Sequence, residues 1–384
     1  MAVSDNASAW GEMMATTRND PQELYGVQIL RGVAALAVVT HHSLVQSSHA
    51  QGRFSPDWIT ISGASGVDIF FVISGFIMLF VSFRPQQEPI RPTTFLFRRF
   101  TRIYPFYWMC CLCILSVLAV GLMSHRDLTT SEIVASLALA PSDQYLIIVS
   151  WTLVYEVYFY AIFSLSLLFK SKAVSVIATT MVIAAMTVVG RVLPFEPVRA
   201  FLSNPVALEF CMGLWIAWAF SLSRERSASP MRALDNRPII RLALSIVGFG
   251  LLAAAPLFVT HTDGNGLQGL PRVFAWGVPA ALIVFTFLNI KAPTNRIMRA
   301  AVLLGDASYA LYLTHEFIMI GYARSLKIGA ISRIDQYYVV PILILVCVGV
   351  GLAAHLFVEK PLLAFTRRLT RRRVSPPEES PAAA

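Results

Sequence analysis

Long apolar stretches recur along the whole chain and limit its fold more than any other feature. A helix needs about 20 mostly apolar residues to cross the ~30 Å hydrocarbon core of a bilayer. Ten stretches meet this requirement: 27–46, 66–83, 103–123, 151–169, 173–190, 200–222, 242–260, 273–290, 301–323 and 337–358. The weakest are 27–46 and 200–222, which contain Arg31 and Glu209. The sequence therefore predicts an all-α, polytopic integral membrane protein with about ten transmembrane helices.

The overall composition agrees with this prediction. Of 384 residues, 56% are hydrophobic and only 14% are charged, whereas soluble domains carry about 25% charged residues. These charges are too few to cover two or three soluble domains, and the composition excludes disorder, a coiled coil and a disulfide-framed secreted domain. The five cysteines all lie in apolar runs, so we interpret them as reduced packing residues.

The positive charge predicts the orientation of the chain in the membrane. The net charge is +9, from 31 Lys and Arg against 22 Asp and Glu. With the N-terminus in the cytoplasm, 22 basic residues fall in cytoplasmic segments, 8 fall outside and Arg31 lies within a span. This bias follows the positive-inside rule and places both termini in the cytoplasm. The excess of positive charge is thus a topology signal and not a nucleic-acid footprint.

The domain organisation predicted from these spans is simple. Residues 1–26 form a cytoplasmic tail without the apolar core of a cleavable signal peptide. Residues 27–361 form the membrane domain, in which a run around 133–149, broken by Pro141, is a re-entrant or interfacial piece. Residues 362–384 form a basic and then Pro- and Ala-rich cytoplasmic tail that we expect to be disordered.

Ionisable residues inside membrane spans are costly, so each is a candidate functional residue. In the first span Arg31 and His42 are eleven positions apart, which places them on one helix face about 16 Å apart along the axis. Arg31 alone could be a snorkelling anchor, and His42 alone could be a buried imidazole bonded to a carbonyl. Together they favour function, since a guanidinium can hold a phosphate and an imidazole can accept a proton.

Two later spans carry further candidates. Glu156 lies five residues after Trp151, at a depth similar to that of His42, and a carboxylate there could orient a histidine. The alternative is an ion pair with an interfacial arginine. His315 shares a helix face with Ser308, seven residues earlier. Taken singly, His315 fits a core histidine better than a functional residue.

A basic cluster precedes the third span. Arg98, Arg99 and Arg102 can anchor that span by the positive-inside rule, or can grip a polyanionic ligand through clustered guanidiniums. Ser74 and Gly75 form a small pair in the second span that permits close helix approach. Glu359 and Pro361 end the last span and are weak signals by themselves.

Taken in order, these segments resemble the membrane acyltransferase-3 family. The resemblance extends over residues 27–361, and bacterial exopolysaccharide O-acetyltransferases are the most similar subgroup. The spacing from Arg31 to His42 and the Arg-x-x-Arg from Arg99 to Arg102 match the family pattern. The matching segments are RGVAALAVVTHH, FFVISGF, RRFTRIYPFY, SWTLVYEVYFY, GDASYALYLTH and VEKP.

The resemblance implies a chemistry for these residues. Acetyl-CoA would be the acyl donor and co-substrate, without a metal, and its phosphates would bind Arg99 and Arg102, with Arg31 nearby. His42 would act as general base on an acceptor hydroxyl, oriented by Glu156, or would itself carry the acyl group; the sequence leaves both open. Five further residues are expected to support the site: Ser74, Trp151, Tyr155, Ser308 and His315.

The resemblance also implies partners and a location. The acceptor would be a carbohydrate of a surface or exported polysaccharide, in a bacterial inner membrane, with the polysaccharide synthesis machinery as a further candidate partner and no nucleic acid. One alternative is a transporter or flippase of a lipid-linked saccharide, although no inverted repeat with paired broken helices is evident. A second alternative is a non-catalytic assembly partner of a polysaccharide synthase.

Overall fold

The fold is taken from a computed structural model, which describes residues 24–51, 56–84, 87–121, 127–225, 237–259, 262–263, 266–326 and 335–374. The N-terminal half of these residues is helical. Its α-helices are α1 (Tyr25–Gln51), α2 (Asp57–Ser62), α3 (Gly66–Ser82), α4 (Pro92–Ala119), α5 (Thr130–Ala138), α6 (Trp151–Ser166), α7 (Lys172–Gly190), α8 (Val198–Ser203) and α9 (Leu208–Glu225). Short 3₁₀ turns lie at Gly63–Ser65, Ile148–Ser150, Leu167–Phe169 and Pro205–Ala207.

The C-terminal half is also helical, apart from one short strand pair. Its α-helices are α10 (Pro238–Phe258), α11 (Gly269–Arg272), α12 (Val278–Phe287), α13 (Arg296–Asp306), α14 (Ser308–Ser325), α15 (Gln336–Ala354) and α16 (Lys360–Val374). Two π-helical turns, Val273–Gly277 and His355–Glu359, connect α11 to α12 and α15 to α16. The strands β1 (Thr262–Asp263) and β2 (Gly266–Leu267) pair antiparallel.

The predicted all-α, polytopic membrane fold is confirmed. Among the described residues, nine helical stretches are long and apolar enough to cross a membrane, from Tyr25–Ser48 to Tyr337–Arg368. Helices suit this setting because all their backbone hydrogen bonds close within the segment. The predicted break near Pro141 is also present, since α5 ends at Ala138 and Leu139 takes a left-handed conformation with φ 54°.

The predicted ninth span, 301–323, is not one continuous helix. The chain turns at Ala307 between the amphipathic α13 and the following α14. Helix α14 carries Thr314, His315 and Glu316 in succession, all three buried. These polar residues explain why α14 is absent from the nine apolar stretches although it lies in the protein core.

Three other expectations need correction. Helix α4 begins at Pro92 and not near 103, so Arg99 and Arg102 lie within it. Arg272, which the topology count placed in an outer loop, is 5% exposed and lies within the apolar stretch Gly269–Phe287. The tail expected to be disordered from residue 362 is helical as far as Val374. The rest of that tail and residues 1–23 of the predicted N-terminal tail lie outside the described residues.

Helices α3 and α9 cross at van der Waals distance of their backbones. A Cβ added at Gly75 would lie 1.9 Å from the carbonyl oxygen of Phe210, and one at Gly213 would lie 2.0 Å from that of Val72. The prediction that Gly75 permits close helix approach is confirmed. Small residues allow such contacts in membranes, where helix association depends on packing. This crossing fixes α3, which lines the cavities described below.

Gly75→Ala is expected to lower the free energy of unfolding by about 1–3 kcal/mol, because the added methyl group forces α3 away from α9. Thermal or denaturant unfolding of the purified protein in detergent measures this loss. Gly250→Ala in α10 is the matched control, since no other atom lies within 4 Å of a Cβ there. Equal stability of the two variants would contradict the close crossing.

Candidate active site

Two cavities lie between the helices of the core, and each collects a different kind of side chain. The first has a volume of about 180 Å³ and is called here the arginine cavity. Helices α1, α3, α4, α6 and α14 contribute its walls. Its polar lining consists of Arg31, Ser74, Arg99, Arg102, Thr152, Glu156, Tyr160, Ser308, Tyr309 and Tyr312.

The second cavity has a volume of about 470 Å³ and is called here the histidine cavity. It is lined by α1, α6 and α8, by the loop before α6 and by the segment that leads into α11. Its polar and aromatic lining includes His41, His42, Ser142, Asp143, Tyr145, Trp151, Tyr155, Phe201, Asn204, Gln268, Arg272 and Tyr312.

The two cavities meet at Val67 and Tyr312, which line both. The Tyr312 hydroxyl is 2.9 Å from the hydroxyl of Thr152 and donates to the carbonyl of Val149 at 3.1 Å. These contacts hold the tyrosine ring at the junction. Helix α6 contributes residues to both cavities. Its residues Thr152, Glu156 and Tyr160 are spaced by four, which keeps them on one helix face towards the arginine cavity.

Two arginines of the first cavity are without a carboxylate partner in the described structure. Arg31 donates to the Gln28 side-chain oxygen at 3.3 Å. Arg99 lies over the rings of Phe95 and Tyr160, at 5.6 and 5.9 Å from their centroids. Its Nε is buried without a hydrogen-bond partner among the described residues.

The third arginine of this cavity is held by a carboxylate at the other end of the chain. Arg102 Nη1 lies 3.1 Å from Glu359 Oε1, and His355 Nδ1 lies 2.7 Å from the other oxygen of Glu359. Glu359 is fully buried. The π-helical turn His355–Glu359 carries both residues, and such turns are frequent at functional sites. The i, i+4 spacing of His355 and Glu359 is the sequence signal that could have identified this contact.

Arg98, the remaining arginine of the predicted cluster, is exposed and does not line the cavity. The structure thus separates the cluster into one surface residue and two cavity residues. Ser308, another predicted supporting residue, lines the arginine cavity with its side chain fully buried.

Glu156 is not placed as the sequence predicts. Its carboxylate accepts hydrogen bonds from Ser74, at 3.1 Å, and from Tyr160. These three residues lie in the arginine cavity, whereas His42 lies in the histidine cavity. The expected pairing of Glu156 with His42 is therefore not found. Helix α6 directs Glu156 into the arginine cavity, whereas Trp151, on another face of the same helix, lines the histidine cavity with His42.

His42 has two other imidazoles as neighbours. Its ring centroid lies 4.9 Å from that of His41 and 5.1 Å from that of His315. The His41 Nδ1 lies within hydrogen-bond distance of the Thr60 carbonyl oxygen, which fixes that ring against α2. His315 is 1% exposed. His315, which the sequence predicts only as a supporting residue of the site, thus contacts the His42 ring.

A buried ion pair at the edge of the histidine cavity was missed by the sequence analysis. Arg272 donates from Nε and Nη2 to the two oxygens of Asp68, at 3.0 and 2.9 Å. Its guanidinium also lies 5.7 and 5.2 Å from the ring centroids of Trp151 and Trp276. Asp68 and Glu209 are both fully buried, and the charges of Asp68 and Arg272 both act on Glu209.

Comparison with known proteins shows which family the chain belongs to. Residues 24–357 match the acyltransferase-3 family, whose description is "Acyltransferase domain". The chain belongs to this acyltransferase family. No solved structure matches it.

Two relatives extend over most of the chain. One, from Rhizobium meliloti (strain 1021), is named "Exopolysaccharide production protein ExoZ"; it is 32% identical over 326 residues, which are 82% of this chain and 92% of the relative. The other, from Streptomyces mycarofaciens, is named "Acyltransferase MdmB"; it is 27% identical over 390 residues, covering 90% of this chain and 92% of the relative.

Family membership decides between the functions that the sequence left open. The protein is a membrane enzyme that transfers acyl groups. This identity favours catalysis over the transporter, flippase and assembly-partner alternatives. The two cavities of this acyltransferase are the candidate sites for its donor and its acceptor.

Asp68→Asn is expected to lower the free energy of unfolding by about 3–5 kcal/mol, because it leaves the buried Arg272 guanidinium without its carboxylate. Chemical unfolding in detergent measures the change. The double variant Asp68→Asn with Arg272→Leu should recover part of the loss, since the unpaired charge is then gone. Glu196→Ala, which breaks an exposed ion pair with Arg199, is the control and should cost about 1 kcal/mol or less. A loss no larger than that control would contradict the assigned pairing.

Proposed function

We propose that the protein transfers an acetyl group from cytoplasmic acetyl-CoA to a sugar hydroxyl of a surface or exported polysaccharide. The arginine cavity binds the donor, the histidine cavity binds the acceptor, and His42 acts as general base. The observation that carries this proposal is that the two cavities meet at Val67 and Tyr312. The end suited to binding anions and the end suited to accepting a proton are thus adjacent.

The arginine cavity suits the polyanionic end of coenzyme A. Arg31 and Arg99 are without carboxylate partners among the described residues, so their guanidiniums are free to bind phosphates, for which planar bidentate contacts are favourable. Arg102 is oriented towards the same cavity by Glu359. The positive-inside bias of the sequence assigns this end of the site to the cytoplasm, where acetyl-CoA is present.

The distance between the two ends fits the donor. Arg31 and His42 are eleven residues apart on α1, or about 16 Å along the helix axis. An extended pantetheine arm is long enough to cover this distance. Glu156 lies along that route with Ser74 and Tyr160. We assign Glu156 the task of accepting hydrogen bonds from the amide groups of the arm, in place of the predicted task of orienting His42.

The chemistry at the histidine cavity needs one proton acceptor. A neutral imidazole nitrogen of His42 takes the proton of the acceptor hydroxyl while the hydroxyl oxygen attacks the thioester carbon. The C–S bond breaks, the thiolate leaves and takes up the proton, and the products are an acetyl ester and free CoA. Attack by His42 itself, through an acyl-histidine, uses the same arrangement. The adjacent His315 ring supports the orientation of His42.

The relative named for exopolysaccharide production supports a carbohydrate acceptor. The chain would then act in the bacterial inner membrane, where exported polymers pass the acceptor end of the site. The polysaccharide synthesis machinery is the partner that would supply this acceptor.

His42→Gln is expected to reduce acetyl transfer by about 10²–10⁴-fold, the usual contribution of a general base. Binding of acetyl-CoA should remain, because His42 lies outside the arginine cavity. Transfer of labelled acetyl groups by protein in lipid nanodiscs, together with equilibrium binding of acetyl-CoA, separates the two effects. Acetylation at the level of the unmodified protein would exclude the mechanism.

The double variant Arg99→Ala with Arg102→Ala is expected to weaken acetyl-CoA binding by about 100-fold or more, since hydrogen bonds to charged groups contribute about 1.5–3 kcal/mol each. Arg98→Ala is the matched control, because Arg98 lies on the same helix and outside the cavity. Isothermal titration with acetyl-CoA measures both. Unchanged affinity in the double variant would remove the donor role of the arginine cavity.

A further inference from the structure

The histidine cavity contains an aromatic wall that the transfer chemistry does not require. The Tyr155 and Phe201 rings stack with centroids 4.3 Å apart and an interplanar angle of 24°. The Trp151 ring stands at 88° to Tyr155, 5.9 Å away. The Tyr155 hydroxyl donates to the Phe201 carbonyl at 2.9 Å, so the wall is held by both packing and hydrogen bonding. Such rigid rings present flat apolar surface to a bound molecule.

Polar groups lie around this wall in a pattern suited to an uncharged polyol. Ser142, Asn204 and Gln268 line the same cavity and supply hydroxyl and amide groups, which can both donate and accept hydrogen bonds. A volume of about 470 Å³ falls within the usual range for a small-molecule site. An aromatic wall whose rings meet at an angle, with surrounding amides and hydroxyls, fits a pyranose ring, which has a C–H face and a rim of hydroxyls.

The charges around the cavity disfavour an acidic sugar. Arg272, the arginine in the lining, has its charge balanced by the bidentate contact with Asp68. Asp143 lines the cavity from an exposed position. A carboxylate on the acceptor would therefore meet the negative charge of Asp143 with no unbalanced arginine in the described lining to offset it, and like charges repel.

We propose that the histidine cavity binds an uncharged pyranose residue of the acceptor, stacked on the wall formed by Trp151, Tyr155 and Phe201, and selects it against acidic sugars through Asp143. This inference rests on the proposed function and specifies its acceptor. The Arg272 guanidinium lies close to two tryptophan rings and is held by Asp68. Its N–H groups outside the ion pair with Asp68 donate to hydroxyls of the sugar.

The test compares two acceptors that differ only in charge. Full-length protein in nanodiscs is given labelled acetyl-CoA with either an oligosaccharide of a hexuronic acid or the same oligosaccharide with each carboxylate converted to the uncharged carboxamide. The neutral acceptor is expected to have a kcat/KM about tenfold higher or more. Equal or better acetylation of the uronic acid, or acetylation of neither sugar, would overturn the proposal. Acetyl-CoA binding that depends on Arg99 and Arg102 is measured separately, so that failure of the proposed function is recognised on its own.

Two variants test the assigned residues. Asp143→Asn should reduce the discrimination against the uronic acid severalfold, whereas Gln144→Ala, at an exposed neighbouring position, should leave it as it is. Unchanged discrimination in Asp143→Asn would exclude the selective role of that residue.

Trp151→Ala should raise the KM for the neutral acceptor about tenfold with little change in the KM for acetyl-CoA, and Trp151→Phe should restore most of the affinity. An unchanged acceptor KM in Trp151→Ala would exclude stacking on this wall.

Discussion

Each cavity contains one guanidinium that is neutralised by a fully buried carboxylate. Arg102 pairs with Glu359 beside the arginine cavity, and Arg272 pairs with Asp68 beside the histidine cavity. In both cases the two partners come from elements far apart in sequence, so the pairs also fix the turn His355–Glu359 against α4 and α11 against α3. Because an unpaired charge in a membrane interior is costly, these helices cannot separate without a large loss of stability. The walls of both cavities depend on this constraint.

Helix α1 then determines how far apart the two chemical functions lie. It carries Arg31 into one cavity and His42 into the other, on the face that the eleven-residue spacing predicts. The tight crossing of α3 with α9 at Gly75 holds the opposite wall, and Val67 at the start of α3 lines both cavities. In the proposed function, the distance between donor and acceptor is thus set by one helix and one close helix contact.

The sequence predicted those features that depend on periodicity within one helix. Apolar length predicted the all-α membrane fold, and helical spacing placed Arg31 and His42 on one face. Contacts between helices were not predictable in the same way. The helical pattern of α6 does not reveal that Thr152 and Trp151 face separate cavities, so Glu156 was paired with the wrong residue. Arg272 was counted as a loop residue because its charge interrupts an apolar run, whereas Asp68 compensates that charge only in three dimensions.

The two cavities differ in charge, and this difference gives the proposed transfer its direction. Two arginines of the arginine cavity are without carboxylates among the described residues, while the arginine of the histidine cavity is balanced by Asp68 and joined by Asp143. In the proposed function, coenzyme A phosphates are therefore attracted to the first cavity and disfavoured in the second. The uncharged thioester end of the donor is the part that can pass Tyr312. In the proposed function, the same difference in charge retains the donor in the first cavity and favours a neutral acceptor in the second.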